Sequence, residues 1–243
     1  MVSYPFPPPL HGFLQLCQRI AGRPTDEEPL YVLDCGAGGP RPPLALFVEH
    51  GYSATGVDID PERVDLAREA GRAAGLDFDI RTGDMRALPF DDRTFDAVYE
   101  FYSLCHLSRK DHPVAIGEMR RVLKPGGLGF LGFMGRASWP LFGKETGRGE
   151  IVFEEGGEDV LHSIFDEDEA DGYFESWDIL QKDTIVQRRL HHWRDTSSDD
   201  WNALYDPGRM DISHSAWNEA YSARLERVNY THYFYTVQKP ESV

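Results

Sequence analysis

The sequence predicts an α/β fold around a mostly parallel sheet, and three observations carry that expectation. Short apolar runs alternate with helical periodicity from residue 31 onward, the order that strand–helix–strand units produce. The first run opens onto a glycine cluster in "VLDCGAGGPRPPLALF", residues 32–47, as a strand feeding a ligand loop and then a helix would. Two strand-like runs follow the last helical crossover, so an antiparallel pair should close the sheet. With 243 residues the chain is long enough for one large domain with a substantial core, or one domain with an insertion.

In chain order, residues 1–9 are proline-rich and expected to form an extended arm. Leu10 to Ala21 carries Phe13, Leu14, Leu16, Cys17 and Ile20 at helical spacing. Tyr31–Leu33 reads as a short buried strand and Pro42–His50 as the helix after the glycines. Ala54–Asp58 is the second strand. The helix "DPERVDLAREAGRAAG" follows, opened by Asp60 with Pro61 at its first position. Strands three and four are "DFDIRTGD" and "FDAVYEF", the latter Phe95 to Phe101. A helix over about Lys110–Leu123 is expected to bury Val114, Ala115, Met119, Val122 and Leu123, and to stop at Pro125-Gly126-Gly127. "LGFLGFM", Leu128 to Met134, is apolar throughout, as a strand covered on both faces should be. The rhythm then breaks from Gly135 to Gly157. A short helix near Asp166–Phe174, a strand in "WDILQKDTIVQRRL" and a last strand over Asn229–Val237 complete the pattern. Between those two strands, 191–228 reads as a helical insertion with Trp193, Trp201 and Trp217.

Composition narrows the partners. Hydrophobic residues make up 41% and charged residues 27%, as in a globular protein, and no run of about 18 apolar residues occurs that could span a membrane. The first residues lack the basic and apolar stretches of a signal peptide, so a cytoplasmic protein is expected. Against 25 bases stand 41 acids, a formal charge of −16, which opposes approach to a nucleic acid or an anionic membrane. Cys17, Cys35 and Cys105 are too few and too scattered in sequence for a disulfide framework or a zinc site, and no metal is expected.

The glycine loop argues against a dinucleotide. Gly36 and Gly38 fill the first two places of G-x-G-x-x-G, but Arg41 stands where the third glycine permits close helix–strand packing. Asp34, two residues before Gly36, would repel a pyrophosphate. It suits a cationic ligand, because opposite charges at ~4 Å gain several kcal/mol at an intermediate dielectric. S-adenosylmethionine, with its ammonium and sulfonium, meets that description. Asp58, at the end of the second strand, stands where an acid accepts from both hydroxyls of a ribose, while Asp60 reads as the cap of the next helix. Asp84 ends the third strand, placed to accept from the exocyclic amine of adenine, and Met85 could offer its N–H to the ring. Ligands of such sheets bind outside the carboxyl ends of the strands, where these acids gather.

"VLDCGAGG", "GVDIDPERV", "GDMRALPFDDRTFDAVYE" and "RRVLKPGGLGFLGF" resemble, in order and spacing across about residues 30–134, the successive motifs of the class I (Rossmann-like) S-adenosylmethionine-dependent methyltransferases of small-molecule type. The resemblance implies a three-layer α/β sandwich, with a seven-stranded, mostly parallel sheet, an antiparallel last strand and helices on both faces. It implies S-adenosyl-L-methionine as cofactor, S-adenosyl-L-homocysteine as product and a small-molecule acceptor. The cofactor residues would be Asp34, Gly36, Ala37 and Gly38 around the methionine part, Asp58 with Ile59 at the ribose, and Asp84 and Met85 at adenine. Glu100 and Phe101 would lie near the transferable methyl. The whole chain would form one domain, with 1–28 as arm and helix, 30–134 as cofactor core, and 135–165 and 191–228 as substrate-side insertions. One departure is Pro40, which stands where many members carry a third glycine, can neither take positive φ nor donate an N–H, and should alter the helix entry.

Methyl transfer from a sulfonium mainly requires alignment and exclusion of water, so no catalytic residue need be present. Three candidates follow the fourth strand. Glu100 could hold a cationic acceptor, Tyr102 could orient it and His106 could act as a base. His162 is a candidate for the pocket rim, and "DEDEADG" reads as a solvated helix start. Tyr4, Phe6, Trp139, Trp193, Trp201 and Trp217 lie in the arm and insertions, where rings pack such segments down or stack on an acceptor. Two other readings stand beside this one. An NAD(P)-dependent oxidoreductase shares the strand–glycine–helix start, though Arg41, Asp34 and Asp84 count against it. A non-catalytic S-adenosylmethionine-binding protein would keep the same acids.

Overall fold

The computed structural model describes residues 8–25, 27–76, 78–138, 144–147, 149–155, 158–187 and 230–241, with helical positions 218 and 222. Its first half runs α1 (Pro8–Ile20), β1 (Tyr31–Cys35), α2 (Leu44–Val48), β2 (Ser53–Asp58), α3 (Pro61–Ala74), β3 (Asp79–Thr82) and β4 (Phe95–Tyr99). A 3-10 turn over Leu104–His106 leads to α4 (His112–Val122) and the long strand β5 (Leu123–Gly135). Then come β6 (Lys144–Gly147), β7 (Glu150–Glu155), β8 (Glu158–Phe165), a 3-10 segment over Glu169–Phe174, β9 (Asp178–Gln187) and β10 (Tyr230–Gln238).

Seven strands form the main sheet in the order β3-β2-β1-β4-β5-β10-β9. The first five are mutually parallel, and β10 is antiparallel to both β5 and β9. This is the sheet the sequence leads one to expect. Three further strands were not expected. β6, β7 and β8 form an antiparallel meander within 144–165, inside the stretch that read only as a break in rhythm and an insertion. The meander joins the main sheet where Met134 and Gly135 of β5 pair in parallel with Ile164 and Phe165. One edge of β5 is occupied by β10 as far as His232 opposite Met134, so β8 takes the edge that β4 vacates after Tyr99. That register places β8 above the carboxyl end of β4.

Two apolar layers sandwich the sheet. On one face Ala115, Ile116, Met119 and Val122 of α4 pack with Leu33, Val98, Leu131, Phe133 and Tyr235. On the other, Leu10, Phe13 and Leu14 of α1, Leu44 and Phe47 of α2, and Val64 and Ala67 of α3 cover Val32, Ala97, Tyr99 and Phe130. The alternation of strand side chains makes this possible, since neighbouring residues such as Val32 and Leu33 serve opposite layers. At the centre of the second layer the Phe130 ring stacks between Phe13 and Phe234, each with ring centroids 5.2 Å away.

Several element expectations need correction. Pro8 and Pro9 belong to α1 and not to an extended arm, because a first helical turn has no use for the N–H that proline lacks. Val114 points to solvent and is 50% exposed, while His112 and Ile116 take the buried face of α4. α2 begins only at Leu44, with Pro43 as its cap, so it has five residues where nine were expected from Pro42–His50. The segment before β9 is 3-10 and starts at Glu169. α3 conforms, with Asp60 accepting from the N–H groups of Glu62 and Arg63 and Gly75 closing it at φ +68°. Tyr4, Phe6, Trp139, Trp193, Trp201 and Trp217, and the insertion over 191–228 apart from positions 218 and 222, lie outside the described residues.

Phe130→Ala should destabilise the fold by about 3–5 kcal/mol, the range for emptying a fully buried aromatic site. Urea unfolding of the two proteins checks it.

Candidate functional site

The carboxyl ends of β1, β2, β3 and β4 lie side by side along one rim of the sheet, and the glycine loop after β1 crosses it. Two residues of this loop turn left-handed, Gly36 at φ +104° and Gly39 at φ +108°. Backbone bonds fix it from behind. The N–H groups of Gly36 and Ala37 donate to the Val57 carbonyl at 2.7 and 2.9 Å, and that of Gly39 donates to Arg63 at 2.8 Å. A side chain at Gly36 would collide with Ser103, and one at Gly38 with the Asp58 carboxylate, so both positions are glycine for want of room. Pro40 is not required to take positive φ, because the second left-handed residue is Gly39, one place earlier. The altered helix entry that Pro40 foretold is the late start of α2.

Each acid on the rim has a distinct environment. Asp34 is completely buried, on the α1–α2 side of the sheet. Its Oδ2 accepts from the Tyr99 hydroxyl at 2.8 Å, and its Oδ1 has no hydrogen-bond partner among the described residues. Burial pushes its carboxyl well above the usual range, and the Tyr99 bond only partly offsets this. Asp58, 9% exposed, accepts from Gly38 N–H at Oδ2 (2.8 Å) and from Asp60 N–H at Oδ1 (3.0 Å). A carboxylate has about four acceptor positions, so two remain. Asp84 is clasped by Arg86, whose Nε reaches both carboxylate oxygens at 3.0 Å and whose Nη2 lies 2.7 Å from Oδ2. That guanidinium holds the Asp84 carboxyl below its ordinary value. Ile59 is exposed, and Met85 packs against the α4-side core.

Glu100 has a different environment from the one the sequence suggested. It is fully buried, with Oε2 accepting from the N–H groups of Ser103 (2.9 Å) and Leu104 (3.0 Å) and Oε1 from Gly132 N–H. These three backbone donors occupy the carboxylate, which faces the protein interior and not an acceptor. Burial pushes its carboxyl up to about 7, and the three donors limit the rise. Phe101 and Tyr102 follow with ring centroids 4.1 Å apart, and Tyr102 also meets His232 at 4.5 Å and Phe234 at 5.7 Å. Tyr102 holds φ +65°, an uncommon conformation for a side-chain-bearing residue and one concentrated at functional sites.

Beyond Ser103 the turn delivers Cys105 and His106 to β8. His106 is exposed, and its ring lies 4.6 Å from that of the buried His162. Burial pushes the His162 imidazole down to about 4, helped by His106. Cys105 is scattered from other cysteines in sequence, yet the fold gathers two histidines beside it, which spacing alone did not reveal. Sequence reading also missed Tyr99, Ser103 and Arg86. Strand alternation holds a signal for Tyr99, which pairs with Asp34 in register and points to the same face. Ser103 and Arg86 carry none.

The family match falls on the same region. Residues 33–131 match the family model described as "Methyltransferase domain". A 24-methylenesterol C-methyltransferase of Oryza sativa subsp. japonica is 38% identical over 96 residues, 39% of this chain and 25% of the relative. The chain spans about a quarter of the length of such curated relatives. Among solved structures, an S-adenosylmethionine-dependent methyltransferase of Methanosarcina mazei superposes with a TM-score of 0.65 at 20% identity, covering 97% of this chain and 98% of the other. The 1,6-didemethyltoxoflavin-N1-methyltransferase of Burkholderia thailandensis, solved with bound 1,6-didemethyltoxoflavin and S-adenosylhomocysteine, superposes with a TM-score of 0.54 at 15% identity, covering 95% of this chain and 78% of the other. At these identities the superpositions establish the shared fold.

Glu100 gives a pH signature. A carboxyl that holds its proton more tightly when folded stabilises the protein less as pH rises between its unfolded value near 4.5 and its folded value near 7. Stability should therefore decline across this window by an amount of order 3 kcal/mol from this group. Urea midpoints measured from about pH 5 to 8 should show a flatter slope in Glu100→Gln than in the wild type.

Proposed function

We propose that this chain, whose residues 33–131 match the methyltransferase domain model, is a class I S-adenosylmethionine-dependent methyltransferase that transfers the cofactor's methyl group to a small-molecule acceptor. The observation that carries this reading is the buried, unpartnered Oδ1 of Asp34 beneath the glycine loop, with Asp58 on the adjacent strand. A buried carboxylate oxygen without a donor is unfavourable unless a ligand supplies one. A cationic amino acid moiety does so, and a pyrophosphate does not.

The acids then divide the ligand between them. Asp34 attracts the ammonium end, with its orientation fixed by Tyr99. Asp58 offers its two remaining acceptor positions to the ribose hydroxyls while its bonded oxygens hold the loop closed. Gly36 and Gly38, lacking side chains, leave room for the methionine part, with Ala37 packed behind them at Gly56, and Ile59 covers the ribose side. The backbone N–H of Met85 serves the adenine edge. Asp84 would release one Arg86 contact to accept from the adenine amine, so its share is smaller than the sequence suggested.

Bound S-adenosylmethionine supplies a methyl group already activated by its sulfonium, so the protein has to position the acceptor and exclude water. Phe101 and Tyr102, braced by Phe234, form an aromatic wall at the end of β4. Glu100 holds that wall from behind. In this reading the acceptor meets rings and main chain, and no side-chain base is required. Helix α1, the β6–β8 meander and the insertion over 191–228 would complete the acceptor side of a single domain. Net charge −16 favours a small molecule over a nucleic acid. No described helix is long and apolar enough to cross a membrane, and the three cysteines, all buried and none in a disulfide, fit a reducing cytoplasm.

Calorimetry with S-adenosylmethionine and NADH tests the reading directly. Binding of the former is expected, and Asp58→Ala should weaken it about tenfold or more, as loss of one or two charge-assisted hydrogen bonds would. Binding of NADH alone would overturn it. Methyl-labelled cofactor offered to metabolite and macromolecule fractions should label only small molecules.

A further inference from the structure

Outside the cofactor rim, the fold assembles a cluster that no part of methyl transfer uses. One ligand atom each from Cys105, His106 and His162 lies within 4.8 Å of the other two. Cys105 and His106 come from the 3-10 turn after β4, and His162 comes from β8. The cluster therefore exists only because β8 takes over the edge of β5 beyond the end of β4.

We propose that Cys105 Sγ, His106 and His162 form a binding site for a single zinc-class divalent cation, with its fourth position open on the side where His106 is exposed. Thiolate and imidazole are the ligands that such ions prefer, and three protein ligands with an open position is the arrangement of reactive and not structural zinc sites. Zinc bonds of about 2.3 Å to sulfur and 2.0–2.1 Å to nitrogen put neighbouring ligand atoms roughly 3.3–3.6 Å apart. The three atoms thus close by about 1.5 Å at most, within reach of side-chain rotation at the three residues.

The surroundings suit the task. The Nδ1 of His106 lies 3.4 Å from the Leu161 carbonyl, and the Nδ1 of His162 lies 3.4 Å from the Val160 carbonyl. Nδ1–H donation to a carbonyl is the device that fixes a ligating imidazole and leaves its Nε2 lone pair for the metal. Met134, Ile151 and Ile164 pack against Cys105 and make a dry floor, which strengthens metal–ligand attraction. As a thiol, Cys105 reaches the Tyr102 carbonyl at 3.3 Å, and metal binding would exchange that proton for the cation and release it to solvent. His106 thereby acts as a ligand in place of the general base that its sequence position suggested.

Cobalt(II) is the probe, added to the full-length chain after dialysis against a chelator. One equivalent should bind, with a near-ultraviolet thiolate-to-cobalt charge-transfer band and the intense visible bands of a four-coordinate ion. Cys105→Ser should abolish the charge-transfer band, whereas Cys17→Ala should keep it. Removing even an outer-shell partner weakens metal sites 10–100-fold, so His106→Asn, at an exposed position that the fold does not need, should weaken binding by at least about a hundredfold. A wild-type protein without the charge-transfer band overturns the proposal. So does a band that survives in Cys105→Ser, or unchanged affinity in His106→Asn.

Discussion

The rim depends on a buried carboxylate held by three backbone donors. Where β4 ends, Glu100 accepts from Ser103 and Leu104 on its own turn and from Gly132 on β5. One side chain thereby sets the direction of the chain after β4 and ties it to the central strand. Ser103 is brought against Gly36, where any larger residue would collide with it, so the glycine loop is positioned from the acceptor side as well as from β2. The strained Tyr102 lies between these fixed points, which supply the contacts that hold its left-handed φ. Two charge-assisted bonds to backbone N–H groups of a tight turn, and a third across the sheet, are worth more together than separate surface bonds, because none competes with water.

The acids along the rim illustrate how environment separates identical chemistry. Asp34 is dry, half-satisfied and reluctant to ionise. Asp58 is bonded to the loop but retains free acceptor positions, and Asp84 is neutralised by Arg86. A field of three bare carboxylates would repel itself across neighbouring strands, and burial, backbone donors and a guanidinium each remove part of that repulsion. What remains is a graded negative strip that is most demanding at Asp34, where an orphaned oxygen needs a cationic donor, and weakest at Asp84. The direction of that gradient matches a ligand carrying its positive charge at one end and a neutral base at the other.

Much of this was legible in the sequence, for identifiable reasons. The alternation of short apolar runs with helical periods gave the α/β class and most of the elements, while the seven-stranded sheet came from the resemblance of the ordered motifs to a known family. Asp34, Asp58 and Asp84 stood out because strand ends and glycine turns are local features. The environment of each acid was not legible, because it depends on partners such as Tyr99 and Arg86 whose meeting follows from register or rotamer. Glu100 misled for the same reason, as a carboxylate after a strand reads alike whether it faces a ligand or three backbone N–H groups. The β6–β8 meander escaped because its strands lie in a glycine-rich, charged stretch whose pairing is set by contact with β5 and not by any period of its own.

That meander is tied to the rest of the fold by side chains as well as by the edge of β5. It is not loosely attached to the cofactor core. The Arg109 backbone N–H donates to Glu150 on β7, and its guanidinium reaches the Ile164 carbonyl on β8, pairs with Glu169 and lies 4.1 Å over the Phe165 ring. Nearby, Ser163 links the Cys105 carbonyl to the His112 ring, which in turn bonds the Ser108 carbonyl. The turn after β4 is therefore held between the cofactor rim and the meander as one rigid piece. The matched family domain ends at residue 131, before the meander begins. Beyond the matched residues the chain adds the β6–β8 meander, whose His162 on β8 meets His106 of the turn after β4, so this ring contact joins the two parts of the fold alongside the strand pairing at the edge of β5.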